Sequence, residues 1–197
     1  YNLRLLGGDG LPMGTVGSDF GAYAEWMDGN GVSRAHVTVI DDVFTGQAFI
    51  TTDLADNQIT AFHPGAMAYS HRNKVADATG ISIGIVSPDG RDGMIEHAAQ
   101  FAGAGIPFIF DPGQGMPMFN GEELRDFIDK AAYVAVNDYE AEMLTERTGL
   151  SLKQIAERVD ALIVTRGGKG SHIFNRGKVL EIPCAKAESL ADPTGCG

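Results

Sequence analysis

Two short glycine-containing segments, and a third that carries an amide and a carboxylate, have residue types and spacings that suit phosphate chemistry. Residues 192–197 read Asp-Pro-Thr-Gly-Cys-Gly, and residues 165–170 read Thr-Arg-Gly-Gly-Lys-Gly. Glycine-rich turns let backbone N–H groups approach and bind an anion such as phosphate. Asn137 and Glu140 add an amide and a carboxylate, and Mg²⁺ is usually held by one or two carboxylates together with water and phosphate oxygens.

Each of these segments also has a purely structural explanation. Glycine-rich turns are often only turns, and glycines in the 165–170 loop suit positive φ angles. Asn137 at a helix N-cap with Glu140 three residues later matches a capping box. The 165–170 loop is not a Walker A motif, because Ile163 and Gly170 stand where that motif needs glycine and a hydroxyl residue.

The surrounding pattern predicts an α/β fold that brings these segments together. Four β-rich runs, at residues 81–86, 107–110, 133–136 and 162–165, alternate with stripes of apolar residues at helical spacing. This order is typical of a parallel sheet covered by helices. Because ligands bind at the carboxyl ends of parallel strands, the polar loops that follow these runs should converge on one crevice.

Residues 37–62 show a different pattern. Three β-rich runs, at residues 37–40, 47–52 and 58–62, are separated by acidic and polar residues and predict a small antiparallel sheet. Such an insertion suits a lid that excludes water from a bound substrate, and a plain structural hairpin is the alternative. Without linkers or repeats, residues 1–197 are predicted to form a single α/β domain.

Composition narrows the classes of partner. With 26 acidic and 15 basic side chains, the formal net charge of −11 argues against nucleic acid, which needs a basic surface. No apolar run approaches the roughly 20 residues of a membrane span. Two cysteines without metal-ligand spacing suit a reducing compartment, so we expect a cytoplasmic protein. The sequence starts at Tyr1, and we expect the natural start to lie upstream.

The order of the motifs resembles the ribokinase-like (PfkB) carbohydrate kinase family. Residues 15–21 are similar to its N-terminal V-G-x-D stretch, residues 137–140 to its Asn-x-x-Glu motif and residues 165–170 to its Thr-x-Gly-x-x-Gly loop. Residues 192–197 are similar to Asp-Thr-x-Gly-Ala-Gly-Asp, with Cys196 in place of alanine. The resemblance implies a three-layer Rossmann-like fold with a mostly parallel sheet, helices on both faces and a small antiparallel β lid.

The resemblance also implies roles for individual residues. Glu140 would hold Mg²⁺ through water, Asp19 would contact the substrate, and Asp192 with Thr194 would hold a monovalent cation, with K⁺ left open. The family's catalytic Asp would come directly after Gly197, so we expect this chain to transfer phosphate poorly. The anion hole would be formed by Gly195, Cys196 and Gly197. The nucleotide site would be formed by Asn137, Thr165, Arg166, Gly167, Gly168, Lys169 and Gly170.

The implied function is ATP-dependent phosphorylation of a primary hydroxyl on a nucleoside or sugar. Residues 85–93 and 110–115 look most like bacterial adenosine kinases, which makes adenosine the predicted acceptor. The alternatives are a ribokinase or fructokinase, and a non-catalytic nucleotide- or nucleoside-binding protein. A dinucleotide-dependent oxidoreductase is disfavoured because no G-x-G-x-x-G joins a first strand to a helix, and thiol chemistry at Cys196 lacks a partner histidine. A homodimer through the lid is left open.

Overall fold

The computed structural model describes residues 1–54 and 58–186. The chain divides into two compact units. The N-terminal unit contains residues 1–79 and 89–96, and the sheet unit contains residues 80–88 and the chain from residue 97 onward. None of the helices in the described ranges combines the length and apolarity that a transmembrane segment needs.

The N-terminal unit begins with a short helix and a βαβ arrangement. After α1 (Asn2–Leu5), strand β1 (Met13–Gly17) leads through α2 (Gly21–Gly29) to β2 (His36–Ile40), and β1 and β2 pair in parallel. Residues 37–40 were expected in the antiparallel lid, and this prediction is wrong. The helical crossover returns β2 beside β1 in the same direction, and Ile40 is buried.

The antiparallel pair of the predicted lid does form. Strands β3 (Gln47–Thr52) and β4 (Gln58–His63) pair in the register Phe49 with Ala61 and Ile50 with Thr60. All six residues of β3 are exposed. We call β3 and β4 the lid hairpin. Turns of 3₁₀-helix follow it at Gly65–Arg72 and Val75–Asp77.

The sheet unit contains a six-stranded mixed sheet in the order β10-β9-β8-β7-β6-β5. The four strands predicted from sequence form its parallel part, while a hairpin of two further strands extends it in antiparallel fashion. The predicted α/β fold is therefore confirmed. The strands are β5 (Gly84–Val86), β6 (Phe108–Phe110), β7 (Tyr133–Asn137), β8 (Ala161–Thr165), β9 (Ser171–Asn175) and β10 (Lys178–Ile182).

Helices alternate with the parallel strands. They are α3 (Arg91–Gly103), within which the boundary between the units falls, α4 (Gly121–Lys130), α5 (Asp138–Thr148) and α6 (Leu152–Ala156). The predicted apolar stripe of α4 is buried at Leu124, Phe127 and Ile128. Phe127 stacks on Phe110 of β6 with ring centroids 4.5 Å apart. Such contacts fix the strands whose carboxyl ends carry the polar loops.

Candidate functional site

Two of the predicted motifs lie side by side at the carboxyl edge of the sheet. Strands β7 and β8 are parallel, and Asn137 at the end of β7 pairs with Thr165 at the end of β8. The loops that follow the two strands therefore begin at the same edge of the sheet. Residues 137–140 and the glycine loop at 165–170 are adjacent, as the sequence predicted.

The helix cap at Asn137 is formed as the structural explanation predicted. Asn137 Oδ1 accepts from the Glu140 N–H, and Glu140 Oε2 accepts from the Asn137 N–H, both at 2.8 Å. This capping box begins α5. It uses one carboxylate oxygen of Glu140, and within residues 1–54 and 58–186 the other oxygen, Oε1, has no hydrogen-bond partner. The cap therefore fixes the orientation of the Glu140 carboxylate while using only one of its two oxygens.

Asp111 is a further candidate site residue, which lies in the strand-end segment at residues 110–115 but is not among the residues predicted for the site. It follows β6 directly, and its pKa is raised above the usual value, mainly by burial and secondly by the charge of Glu140. In the described part of the chain its carboxylate has no hydrogen-bond or ion-pair partner. A buried carboxylate whose charge is disfavoured by a second carboxylate fits a divalent cation, which would offset both charges. The signal in the sequence was an Asp directly after a buried strand.

The glycine loop divides into a packed part and an open part. Gly170 has φ +82°, and a Cβ there would lie 2.0 Å from the Ile182 carbonyl oxygen. A Cβ on Gly167 or Gly168 would meet no described atom within 4 Å, although Gly167 has φ +52°. Gly170 is therefore required by the fold. The backbone around Gly168 is open to a ligand.

The two basic side chains of the glycine loop, Arg166 and Lys169, lie in different surroundings. The Arg166 guanidinium donates to Nε2 of His172 on β9, and the backbone of Arg166 also bonds to Gly170. Lys169 ends a single turn of 3₁₀-helix and is exposed. Arg166 is thus held against the sheet, while Lys169 extends into solvent.

The remaining predicted residues fall elsewhere. In the N-terminal unit, the Asp19 carboxylate accepts hydrogen bonds from Thr45 and Gln47. No cluster of three or more His, Cys, Asp or Glu side chains suited to a metal ion occurs in residues 1–54 and 58–186. The predicted anion hole and cation site, comprising Asp192, Thr194, Gly195, Cys196 and Gly197, lie outside the described residues.

Comparison with known families identifies this arrangement. Residues 1–197 match the sequence profile of the pfkB family carbohydrate kinases. The chain belongs to the pfkB family. The resemblance inferred from its motifs is therefore confirmed.

Relatives of this pfkB chain include nucleoside kinases. It is 31% identical to the nucleoside kinase of Methanocaldococcus jannaschii over 197 residues, which cover 99% of this chain and 65% of that protein. The structure of the Burkholderia thailandensis nucleoside kinase in complex with inosine is 53% identical, with a TM-score of 0.95, and the match covers 99% of this chain and 65% of that one. The chain thus spans about two thirds of the length of these pfkB relatives.

More distant relatives show the fold alone. The ribokinase of Thermotoga maritima is 22% identical, with a TM-score of 0.73 over 90% of this chain. The ribokinase-like α/β architecture is therefore shared well beyond the nucleoside kinases. In this pfkB chain, the described structure joins Asn137, Glu140, Asp111 and the glycine loop at one sheet edge.

Proposed function

We propose that this chain is part of an ATP-dependent kinase that transfers a phosphoryl group to the 5′-hydroxyl of a purine nucleoside. The observation that supports it most is that Asp111 and Glu140 follow neighbouring parallel strands beside an open glycine backbone at one sheet edge, where the charge of Glu140 helps to raise the pKa of Asp111. Membership of the pfkB family adds the reaction class. The two nucleoside kinases named above, which are 31% and 53% identical to this chain, add the acceptor class.

The residues present fit Mg²⁺ and a nucleotide. Glu140 Oε1 and the Asp111 carboxylate would hold Mg²⁺, directly or through water, because hard cations prefer oxygen ligands. When bound, the ion neutralises charge that develops on the phosphates. Backbone N–H groups at Gly167 and Gly168 would bind phosphate oxygens, and Thr165, Arg166, Lys169 and Gly170 would line the nucleotide.

Catalysis in this proposal depends mainly on positioning. The rigid cap at Asn137 holds the Glu140 carboxylate in place before the nucleotide arrives, so little is lost to reorganisation. The lid hairpin would exclude water from the acceptor, with Asp19 contacting it. Gly195, Cys196 and Gly197 are proposed as the anion hole, with Asp192 and Thr194 at a monovalent cation.

The identity of the purine is a separate proposal. Adenosine is predicted from residues 85–93 and 110–115, whereas the Burkholderia thailandensis enzyme is described with inosine. The two nucleosides share the ribose hydroxyl that would be phosphorylated and differ at the six-membered ring. We propose that a kinase carrying this chain accepts both, and prefers either of them to free ribose or fructose.

A substrate panel with a matched pair of cap variants tests the proposal. A purified protein that carries this chain is assayed with ATP and Mg²⁺ against adenosine, inosine, ribose and fructose, alongside Asn137→Ala and Asn120→Ala. Asn120 forms an equivalent capping box with Glu123 on α4. It lies near the far end of α5, because a Cβ on the next residue, Gly121, would lie 2.1 Å from the Arg147 carbonyl oxygen there, about 16 Å from Asn137 along the helix.

Both variants should lose about 1 kcal/mol of stability, since each removes a helix cap. Only Asn137→Ala should also weaken ATP binding, and turnover should be highest with a nucleoside. Equal losses of ATP affinity in both variants would contradict the proposed site. Preference for ribose or fructose would favour a sugar kinase, and nucleotide binding without turnover on any acceptor would favour a non-catalytic binding protein.

A further inference from the structure

The lid hairpin is attached to the N-terminal unit at a compact root. We define the lid root as residues 43–46, which lead into β3, and residues 64–66, which follow β4. The first segment is bonded to the residue that follows β1, and the two segments are bonded to each other. The Ser18 N–H donates to the Val43 carbonyl at 3.0 Å, and the Ala66 N–H donates to the Phe44 carbonyl at 2.9 Å.

Asp19 is the charged group at this root. Its Oδ1 accepts from both the backbone N–H and the hydroxyl of Thr45, at 2.8 and 2.7 Å, and its Oδ2 accepts from Gln47 Nε2 at 3.3 Å. Hydrogen bonds to a carboxylate are roughly twice as strong as those between neutral groups. Asp19 therefore binds the residue that opens the lid and one at the start of β3.

Thr45 links Asp19 to β1. Its hydroxyl donates to Asp19 and accepts from the Gly17 N–H at 3.0 Å. The backbones meet so closely that a Cβ on Gly17 would lie 2.2 Å from the Phe44 carbonyl carbon. The Thr45 side chain thus has one orientation that satisfies both partners. A change at Asp19 would be transmitted through Thr45 to the angle at which the hairpin leaves the unit.

The returning side of the root is fixed independently. The Thr15 hydroxyl donates to the Ala66 carbonyl at 2.6 Å, and both residues are buried. The hairpin beyond is exposed along all of β3. The segment at residues 64–66 is therefore held by a buried hydrogen bond, whereas the segment at residues 43–46 is held by the exposed carboxylate of Asp19. The Asp19 contact is thus the one that can change as the hairpin moves.

We propose that Asp19 is a positioning residue that sets the angle of the lid hairpin through Thr45. This inference rests on the proposed kinase function for its catalytic consequence, although the contact itself does not depend on it. The role adds to the predicted contact of Asp19 with the acceptor. It makes acceptor capture sensitive to a hydrogen bond at the lid root rather than only to groups that touch the acceptor.

The pKa of Asp19 is consistent with these hydrogen bonds at the lid root. Its pKa is lowered, first by the Thr45 N–H and then by the Thr45 hydroxyl. A carboxyl group whose folded-state pKa is lowered stabilises the fold above its ordinary value of 3.8 and loses that contribution as pH falls through the folded-state pKa. The lid root should therefore stay closed at neutral pH and loosen only in acid.

Amide hydrogen exchange tests the contact without any assay of activity. Asp19→Ala and Thr45→Val should accelerate exchange at Gly17, Thr45 and the lid hairpin several-fold, whereas Thr45→Ser, which keeps the hydroxyl, should not. Asp28→Ala is the matched control, because Asp28 makes two hydrogen bonds to Arg34 in the same unit away from the lid root. Amides of β7 and β8 report whether each variant is folded.

Kinetics then separate positioning from general damage. We expect Asp19→Ala and Thr45→Val to raise KM for the nucleoside more than they lower kcat, with KM for ATP unchanged. Unchanged exchange at the lid root, or equal acceleration in Asp28→Ala, would overturn the inference, and so would loss of kcat alone. If no acceptor is phosphorylated, the kinase proposal fails while the exchange result still decides the role of Asp19.

Discussion

At the scale of single residues, Asp111 is held in an unfavourable state that a cation would relieve. Burial and the Glu140 charge raise its pKa, so between its ordinary value of 3.8 and its folded-state value the folded protein binds more protons than the unfolded chain. Stability therefore falls as pH rises through that interval. Asp111→Asn should remove this penalty and raise Tm by about 1–3 °C at pH 7 without Mg²⁺, while weakening binding of ATP with Mg²⁺.

The control for this prediction is Asp129→Asn. Asp129 is exposed and paired with Arg158 at 2.7 Å, so its replacement should leave Tm level or slightly lower at neutral pH. The measurement is thermal unfolding between pH 4 and 8, with and without MgCl₂, together with ATP titration. A fall in Tm for Asp111→Asn at pH 7, or unaltered binding of ATP with Mg²⁺, would contradict the carboxylate pair as a metal site.

At the scale of elements, the glycine loop predicts opposite outcomes for two similar substitutions. Gly168→Ala meets open space and a φ angle that any residue adopts, so Tm should be unchanged while affinity for ATP falls. Gly170→Ala forces a Cβ against the Ile182 carbonyl at φ +82°, so it should unfold the β9–β10 hairpin locally or destabilise the protein by more than 1 kcal/mol or so. Thermal unfolding and calorimetric ATP titration distinguish the two, and normal ATP affinity in Gly168→Ala would argue against nucleotide binding at this loop.

Sequence patterns predicted some of the elements and contacts of this fold and could not predict others. Alternation of β-rich runs and helical stripes predicted the parallel strands because both elements bury one regular face. The run at residues 37–40 was misassigned, since β-branched residues favour a strand but carry no information on its partner. The contact between Asp19 and Thr45 joins residues 26 positions apart and has no local signal. The position of Asp111 directly after a strand is visible in the sequence, but the charge of Glu140 that helps to raise its pKa comes from a distant part of the chain.

At the scale of the whole molecule, the lid hairpin presents apolar side chains on both faces. Phe49 and Ile59 lie diagonally on one face and are 60% and 78% exposed, while Ile50 and Phe62 share the other. An isolated two-stranded hairpin is marginally stable, and an exposed apolar strand edge favours pairing with another chain. We propose that two copies associate through this hairpin, and that residues 1–197 act within one domain of each copy.

Analytical ultracentrifugation at micromolar concentration tests the association of two copies. We expect a dimer that Ile59→Lys or Ile50→Lys converts to a monomer, because a charged side chain on the buried face of a hairpin contact leaves an unpaired charge away from water. Val179→Lys is the control, since Val179 is also exposed and apolar but lies on β10 in the sheet unit. A monomer for the unsubstituted protein, or dissociation by Val179→Lys alone, would show that the apolar faces of the hairpin serve a purpose other than self-association.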